Sequence, residues 1–561
     1  MNKIVWIWLL VLLAIPAGGR RAAKSAEAAP APPARLVIVG TSDFHGALEH
    51  SHAKVVGGRQ VGGIDIIGAY IQALRAAHSG GVVLLDAGDL YQGTLLSAAS
   101  EGRAVIEFYS DMKYDAAVVG NHEFDFGPVG YHSTPSGPDD DPLGAVKARI
   151  GEAKFPFLAA NIFDRDTQKP VKWKNLHGYT IVHRKGIKIG VIGMTSPDTA
   201  LITHPANIRT LDFKPLLSTL RRLLPRVRKA GATVIIVVVH AGISVDEKSG
   251  QAIGPVADLA RALKPGEVDL IISGHHHLPF ADRVNQIPVI QPWAKGIAFV
   301  RADLVVDRST GRVRQDDVVL HENTFFFRTD RNGQPPTYAG QVIRPLACYV
   351  KKLKKFKRSI AHLERIRLGR ATEAMKCNTA LDSPMGNLVT DAMRAMDESI
   401  DVAMYNSGGI RASIPKGVIT FGHVYEAVPF DNNLVKLTLT GAQIREVVEH
   451  GLAGTYGVME ISGLEVTFDS DAPQGRRCVS IVFTCTGKEL DDDKLYTVAT
   501  NEFVFNGGDG YYAFSRGTNV HNTHTLIREL VARYIKEKGT VTPEKGGRYK
   551  PCRQSVEKKS R

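Results

Sequence analysis

Seven side chains able to ligate a transition-metal ion fall in five short polar clusters between residues 43 and 277. The clusters are Asp43-Phe44-His45, Gly88-Asp89, Gly120-Asn121-His122-Glu123-Phe124-Asp125, His240 and Gly274-His275-His276-His277. Imidazole and carboxylate together suit zinc, manganese or iron better than calcium or magnesium. Seven donors (Asp43, His45, Asp89, Asn121, His240, His275 and His277) are too many for one tetrahedral ion. Two ions sharing a carboxylate fit better, and such a pair clamps both oxygens of a phosphoryl displacement.

The elements that must position these donors are legible too. Each cluster follows an apolar run: LVIVG, VVLLD, AAVVG, TVIIVVVH and VDLIISG. Parallel strands covered on both faces read as continuous Val/Ile/Leu runs, and functional loops gather at their carboxyl ends. The five clusters are therefore expected on one edge of a sheet system. A lone DxH or GD means little, but GNHEFD places Asn, His and Asp in one loop. The ordered set of five is far more specific.

TSDFHG, AGDLYQGT, GNHEFDFG, VVVHAG and SGHHH resemble, in order, the catalytic blocks of calcineurin-like metallophosphoesterases, in particular the secreted 5'-nucleotidase family. The resemblance implies an α/β fold. A four-layer α/β/β/α sandwich would be joined by a helix to a smaller α/β substrate-binding domain. It implies two divalent ions, zinc, manganese or similar. Asp43, His45 and His277 would hold one, Asn121, His240 and His275 the other, and Asp89 would bridge them. His122 would contact the phosphate and stabilise charge on the leaving oxygen, with Asp125 accepting its other N–H. The attacking group would be metal-bound hydroxide. His276 is expected to face solvent, Asp86 to orient its loop, and Glu123 to serve as a structural hydrogen-bonding residue.

A second set of motifs lies downstream: Asn406-Ser407-Gly408-Gly409-Ile410-Arg411, Val428-Pro429-Phe430-Asp431-Asn432, Asn501-Glu502-Phe503 and Asn506-Gly507-Gly508-Asp509-Gly510. Arginine offers a planar fork for phosphate, and two Phe rings can sandwich a base. The combination is similar to the carboxyl-terminal domain of 5'-nucleotidases. Carried over, Asn406 and Arg411 make polar and phosphate contacts, and Phe430 and Phe503 flank the base. Asn432 and Asp509 hydrogen-bond base or ribose. One departure stands out: Thr379 occupies a position where the family usually has an arginine. A charge-assisted phosphate contact is a strong one, so its absence bears on substrate choice.

The expected organisation is a signal peptide at 1–28, a linker at 29–34 and a catalytic domain at 35–325. A linker and connecting helix follow at 326–368, then a substrate-binding domain at 369–545 and a basic tail at 546–561. The apolar run IVWIWLLVLLAIP after Lys3 is short for a membrane span and has the shape of an export signal, so a periplasmic or secreted protein is expected. Hydrophobic content of 44% and charged content of 23% are ordinary for a globular chain. The net charge of +13 is concentrated at residues 350–370 and in the tail, so no nucleic acid polymer is expected as a partner. All five cysteines lie at or after Cys348, which argues against thiolate chemistry in the catalytic half.

The sequence thus predicts an exported two-metal hydrolase of small-molecule nucleotides, most simply nucleoside 5'-monophosphates. The alternatives are a UDP-sugar, a 2',3'-cyclic or 3'-nucleotide or another ester on the same architecture, and an exported nucleotide-binding protein without catalysis.

Overall fold

The computed structural model describes residues 32–552 apart from 131–132, 136, 247, 378–380 and 545. The expected signal peptide, Thr379 and the end of the basic tail lie outside these residues.

Two mixed sheets form the centre of the amino-terminal half. The seven-stranded sheet runs Val319–Phe325, Ala298–Val306, Ala34–Thr41, Val82–Asp86, Ala116–Val118, Phe157–Leu158 and Leu176–His177. The six-stranded sheet runs Phe280–Val284, Ile287–Gln291, Leu270–Ser273, Val234–His240, Ile187–Thr195 and Tyr179–Arg184. Ala34–Thr41, Val82–Asp86 and Ala116–Val118 are parallel, as are Ile187–Thr195, Val234–His240 and Leu270–Ser273.

Strand Val234–His240 shows why the layers stack as they do. Its β-branched run is buried at every position, which leaves no polar face to meet water. Ile236 and Val238 point into a core shared with Ile38, Leu85 and Val118 of the other sheet. Ile235, Val237 and Val239 point the other way, beneath helices Leu216–Lys229 and Pro255–Ala262. On the far side, Val37, Val39 and Leu84 pack under helices Ile64–Ala77 and Arg103–Met112. Helix, sheet, sheet, helix is the four-layer order expected from the sequence. The sheets approach so closely that a Cβ on Gly193 would lie 2.2 Å from that of Leu158.

Helix Ala347–Glu364 belongs structurally to this first body. Tyr349 and Ile360 are buried in its core, while Lys351, Lys354, Lys355 and Arg358 face solvent. The basic run is thus one solvated face of an amphipathic helix. Among the described residues, no helix is long and apolar enough to cross a membrane.

The carboxyl-terminal half is built on a five-stranded mixed sheet in the order Met459–Ser462, Val402–Asn406, Leu495–Asn501, Asn433–Thr440 and Thr518–Leu526. The segment expected as a basic tail starts inside this domain. Tyr549–Pro551 pairs in parallel with Leu464–Phe468, and Arg548 makes a two-pronged ion pair with Asp391 at 2.8 and 2.9 Å. A buried tyrosine and a bonded arginine give residues 548–551 a packing role that net charge alone conceals.

Candidate metal centre and nucleotide cleft

The seven expected ligands meet at the carboxyl ends of the parallel strands, in loops from both sheets. Asp43/His45/His277 and Asp89/His240/His275 each bring their donor atoms within 4.8 Å of one another, and a third such group, His45/Asp89/His122, overlaps both. His45 Nε2 lies 3.1 Å from His277 Nε2, and His275 Nδ1 lies 3.3 Å from His240 Nε2. Asn121 Oδ1 is 3.0 Å from His240 Nε2. Asp89 Oδ2 stands between the groups, 3.1 Å from His240 Nε2 and 3.9 Å from His45 Nε2.

This donor set fits divalent ions. The Nδ1–H of His45 donates to the carbonyl of Gln92 and that of His240 to the carbonyl of Ala87, each at 2.8 Å. Each ring is thereby held in the tautomer that leaves Nε2 as a lone pair facing the cluster. Paired lone pairs at such distances repel unless a proton or a cation lies between them. Burial pulls His240 down, but the Asp89 carboxylate outweighs it and carries His240 up to about 10, so without an ion a proton takes the cation's place. Burial and the His240 charge lower His275 to about 3.

The backbone is bent to suit. Asp43, His45, Asp89, His275 and His277 all have φ between 49° and 80°. That left-handed region is uncommon for residues with a side chain, and it costs on the order of 1 kcal/mol or more at each position. The distortion is held by hydrogen bonds between loops. Glu123, fully buried, accepts from the backbone N–H groups of Asp89, Leu90 and Gly120 at 2.9, 2.7 and 2.6 Å. It fixes the Asp89 loop against the Asn121 loop, the structural part expected of it.

Asp86 also acts as a brace. Its carboxylate, raised to about 6 by burial, accepts from Thr41, Tyr109 and the Gly88 N–H and makes no contact with the cluster. His276 is exposed, its ring lying over Gly242. His122 points toward the same space from a short 3-10 turn, its Nδ1 2.6 Å from Asp125 Oδ2. Burial opposes its protonation, but Asp125 and Asp89 prevail and raise its pKa.

The carboxyl-terminal residues face this cluster across a cleft of about 430 Å³ lined by both halves of the chain. Asn121, His122 and Asp125 form one wall, and Asn406, Arg411, Phe430, Asn432, Phe503 and Asp509 form the other. Phe430 stacks on His122 with ring centroids 5.7 Å apart, so the two domains touch at this histidine. Phe503 is almost buried, its ring beneath Gly508, where any Cβ would lie 2.4 Å from it. Asn501, Asn406 and Asp509 form a relay: Asn501 donates to Asn406 at 2.8 Å and Asn406 to Asp509 at 2.7 Å. Asn406 is therefore engaged at both ends of its amide and orients Asp509, whose own backbone is left-handed at φ 53°.

Sequence reasoning missed Arg528, which lies in the helix Ile527–Lys538 outside every motif. Its guanidinium ion-pairs with Asp431, donates to the carbonyls of Val428 and Pro429 at 3.4 and 3.1 Å, and lies 4.2 Å from the Tyr425 ring centroid. It thus holds the loop that carries Phe430. Arg528→Met should destabilise the protein by about 3 kcal/mol, because a carboxylate and two carbonyls lose their partner. Urea unfolding reads this directly, and an unchanged midpoint would mean that the loop is held by other contacts.

Face-to-face sheets with paired imidazole–carboxylate groups on one edge define a metal-dependent phosphoric ester hydrolase. The sequence agrees over both halves. Residues 36–279 match the calcineurin-like phosphoesterase family, and residues 359–516 match the 5'-nucleotidase C-terminal domain. The chain belongs to the 5'-nucleotidase branch of these metallophosphoesterases. It is 27% identical to a snake venom 5'-nucleotidase of Naja atra over 91% of this chain and 98% of that protein. It is 25% identical to a human 5'-nucleotidase, covering 92% and 90% of the two chains. The crystal structure of a 5'-nucleotidase precursor from Thermus thermophilus aligns with a TM-score of 0.78 at 26% identity, over 93% of this chain and all of that one. A sulfate thiohydrolase from the same organism shares the fold, at 20% identity and a TM-score of 0.71, over 92% and 96% of the two chains.

Proposed function

We propose that the protein is an exported nucleotidase that hydrolyses nucleoside 5'-monophosphates to nucleoside and phosphate. The observation that carries this reading is that Phe430, Phe503, Asp509 and Arg411 line one cleft together with His122 and the expected ligands Asn121 and His275. A base between the two Phe rings would direct its 5' phosphate toward Arg411 and the cluster. The ionised Asp509 would accept from ribose hydroxyls. Export rests on the apolar amino-terminal segment, and the 5'-nucleotidase relatives support the choice of nucleotide.

Two divalent ions, held by Asp43, His45 and His277 and by Asn121, His240 and His275 with Asp89 shared, would supply Lewis acidity and an ionised water as nucleophile. The chain's own groups do the rest. Arg411 binds phosphoryl oxygens through its planar fork. His122, held by Asp125, presents Nε2–H to the oxygen on which charge develops as the ester bond breaks. Phe430 closes the cleft over His122 and keeps bulk water from the reacting oxygen.

Substrate choice is tested by offering the manganese-loaded protein AMP, 3'-AMP, 2',3'-cyclic AMP, UDP-glucose and NAD, and following products by chromatography. AMP should have the highest kcat/KM. Preference for UDP-glucose or a cyclic nucleotide would move the assignment to a diester or diphosphate substrate, the reading that Thr379 favours. No turnover of any of them would leave a binding protein.

A further inference from the structure

Arg411 lines, besides that cleft, a second chamber of about 390 Å³. Its walls include His45 from the metal cluster, Arg411, and Lys295 from the loop after strand Ile287–Gln291. Lys295 is held there by unusual backbone. Its φ is 58°, and its N–H donates to the carbonyl of Asp43 at 2.6 Å. The loop is thus tied to a metal-ligand residue, and the strain of a left-handed lysine is the kind that structures keep where a side chain must be presented.

The ammonium itself is under-used. Nζ donates to the backbone carbonyl of Arg411 at 3.2 Å, and an ammonium has three donors. Among the described residues no carboxylate lies within ion-pair distance of it. Glu426 shares the chamber without pairing to it, and Glu49 is taken by Lys357. The side chain is solvent-accessible yet walled by both domains, so a small anion can reach it. The Arg411 guanidinium beside it likewise has no hydrogen bond or ion pair within the described residues.

The surrounding charge points the same way. Among the seven ligand side chains only Asp43 and Asp89 are carboxylates. Two divalent ions would exceed their charge, and Arg411 and Lys295 add two more cations. Such a site favours a phosphoryl group carrying two negative charges over one carrying a single charge.

We propose that Lys295 is a specificity residue that contacts the phosphoryl group opposite Arg411 and selects dianionic phosphomonoesters over monoanionic diesters. This rests on the reading that the cleft takes nucleotide phosphate, and the test separates the two. Calorimetry on the full-length, manganese-loaded protein measures inorganic phosphate and adenosine as separate ligands, in wild type, Lys295→Met, Lys295→Arg and Glu426→Gln.

Losing a charge-assisted hydrogen bond should raise the phosphate Kd about 10- to 100-fold in Lys295→Met, with adenosine affinity held. Lys295→Arg should restore most of the phosphate binding. The kcat/KM for AMP should fall in step with phosphate affinity, and that for 2',3'-cyclic AMP by less than about threefold. Unchanged phosphate binding would overturn the proposal, as would an equal loss of adenosine binding or equal losses on both substrates. If Glu426→Gln reproduced Lys295→Met, Lys295 would be a partner of Glu426 rather than of substrate, which would overturn it too. A wild type that binds phosphate but cleaves no nucleotide would refute the nucleotidase reading and leave Lys295 to be judged on phosphate alone.

Discussion

Replacing His122 with alanine is expected to lower kcat by about 10²- to 10⁴-fold, the range for a positioned proton donor, while leaving bound metal unchanged. The geometry requires both halves of that statement. His122 Nδ1 is engaged by Asp125 at 2.6 Å, so only Nε2 can act in the cleft. Its side chain also lies within 4.8 Å of His45 and Asp89, which makes ligation of an ion the competing assignment. The two roles separate cleanly by experiment. A donor to the leaving oxygen affects turnover and leaves metal content intact, whereas a ligand lowers metal content as well. Elemental analysis beside kcat decides between them. Full metal with lost turnover supports the assigned role, and lost metal makes His122 a ligand. Turnover at the wild-type rate would exclude both. Asp125→Asn should give a smaller loss, since the ring keeps a hydrogen-bond partner but not its charge.

Much of this centre was legible in the sequence because strand and loop alternate so regularly. A run such as VIIVVVH can only be a strand covered on both faces, and His240 at its end must then reach the sheet edge. The meeting of five clusters follows from that logic, whereas the four-layer order comes from the family resemblance, with which the alternation agrees. The left-handed backbone at Asp43, His45, Asp89, His275 and His277 was not legible, because nothing in a residue's type marks a φ imposed by hydrogen bonds from distant loops. Arg528 and Lys295 were hidden for a related reason. Each acts through partners remote in sequence, Asp431 and the Val428 and Pro429 carbonyls for one, the Asp43 and Arg411 carbonyls for the other. Asn406 carried the right type for a substrate contact, but its amide is engaged by Asn501 and Asp509. The strand Tyr549–Pro551 was masked by the basic residues around it, since net charge says nothing about an alternation only three residues long.

Stripping the ions should abolish turnover, soften the fold and change its proton balance in a way that identifies Asp89 as the shared ligand. Asp43 and Asp89 are each only 1% exposed, so the empty cluster holds two buried carboxylates among imidazoles. An ion that binds only the folded chain adds about 4 kcal/mol at a thousandfold excess over its Kd, and chelation removes that for each ion. Thermal melts with and without chelator measure the difference. In the stripped protein Asp89 holds His240 at a pKa of about 10, above the ordinary 6.5. A raised histidine pKa contributes stability that is fully present below about 6.5 and is lost as pH rises through about 10. At pH 7 to 8 His240 therefore carries a proton that an incoming ion must expel. Reloading should release about one proton from this site, read by calorimetry in buffers of different ionisation enthalpy. Asp89→Asn removes the charge that raised His240, so proton release should shrink along with affinity at both sites, because both groups draw on that carboxylate. Loss of only one ion in this variant would place Asp89 in a single group and remove the bridge.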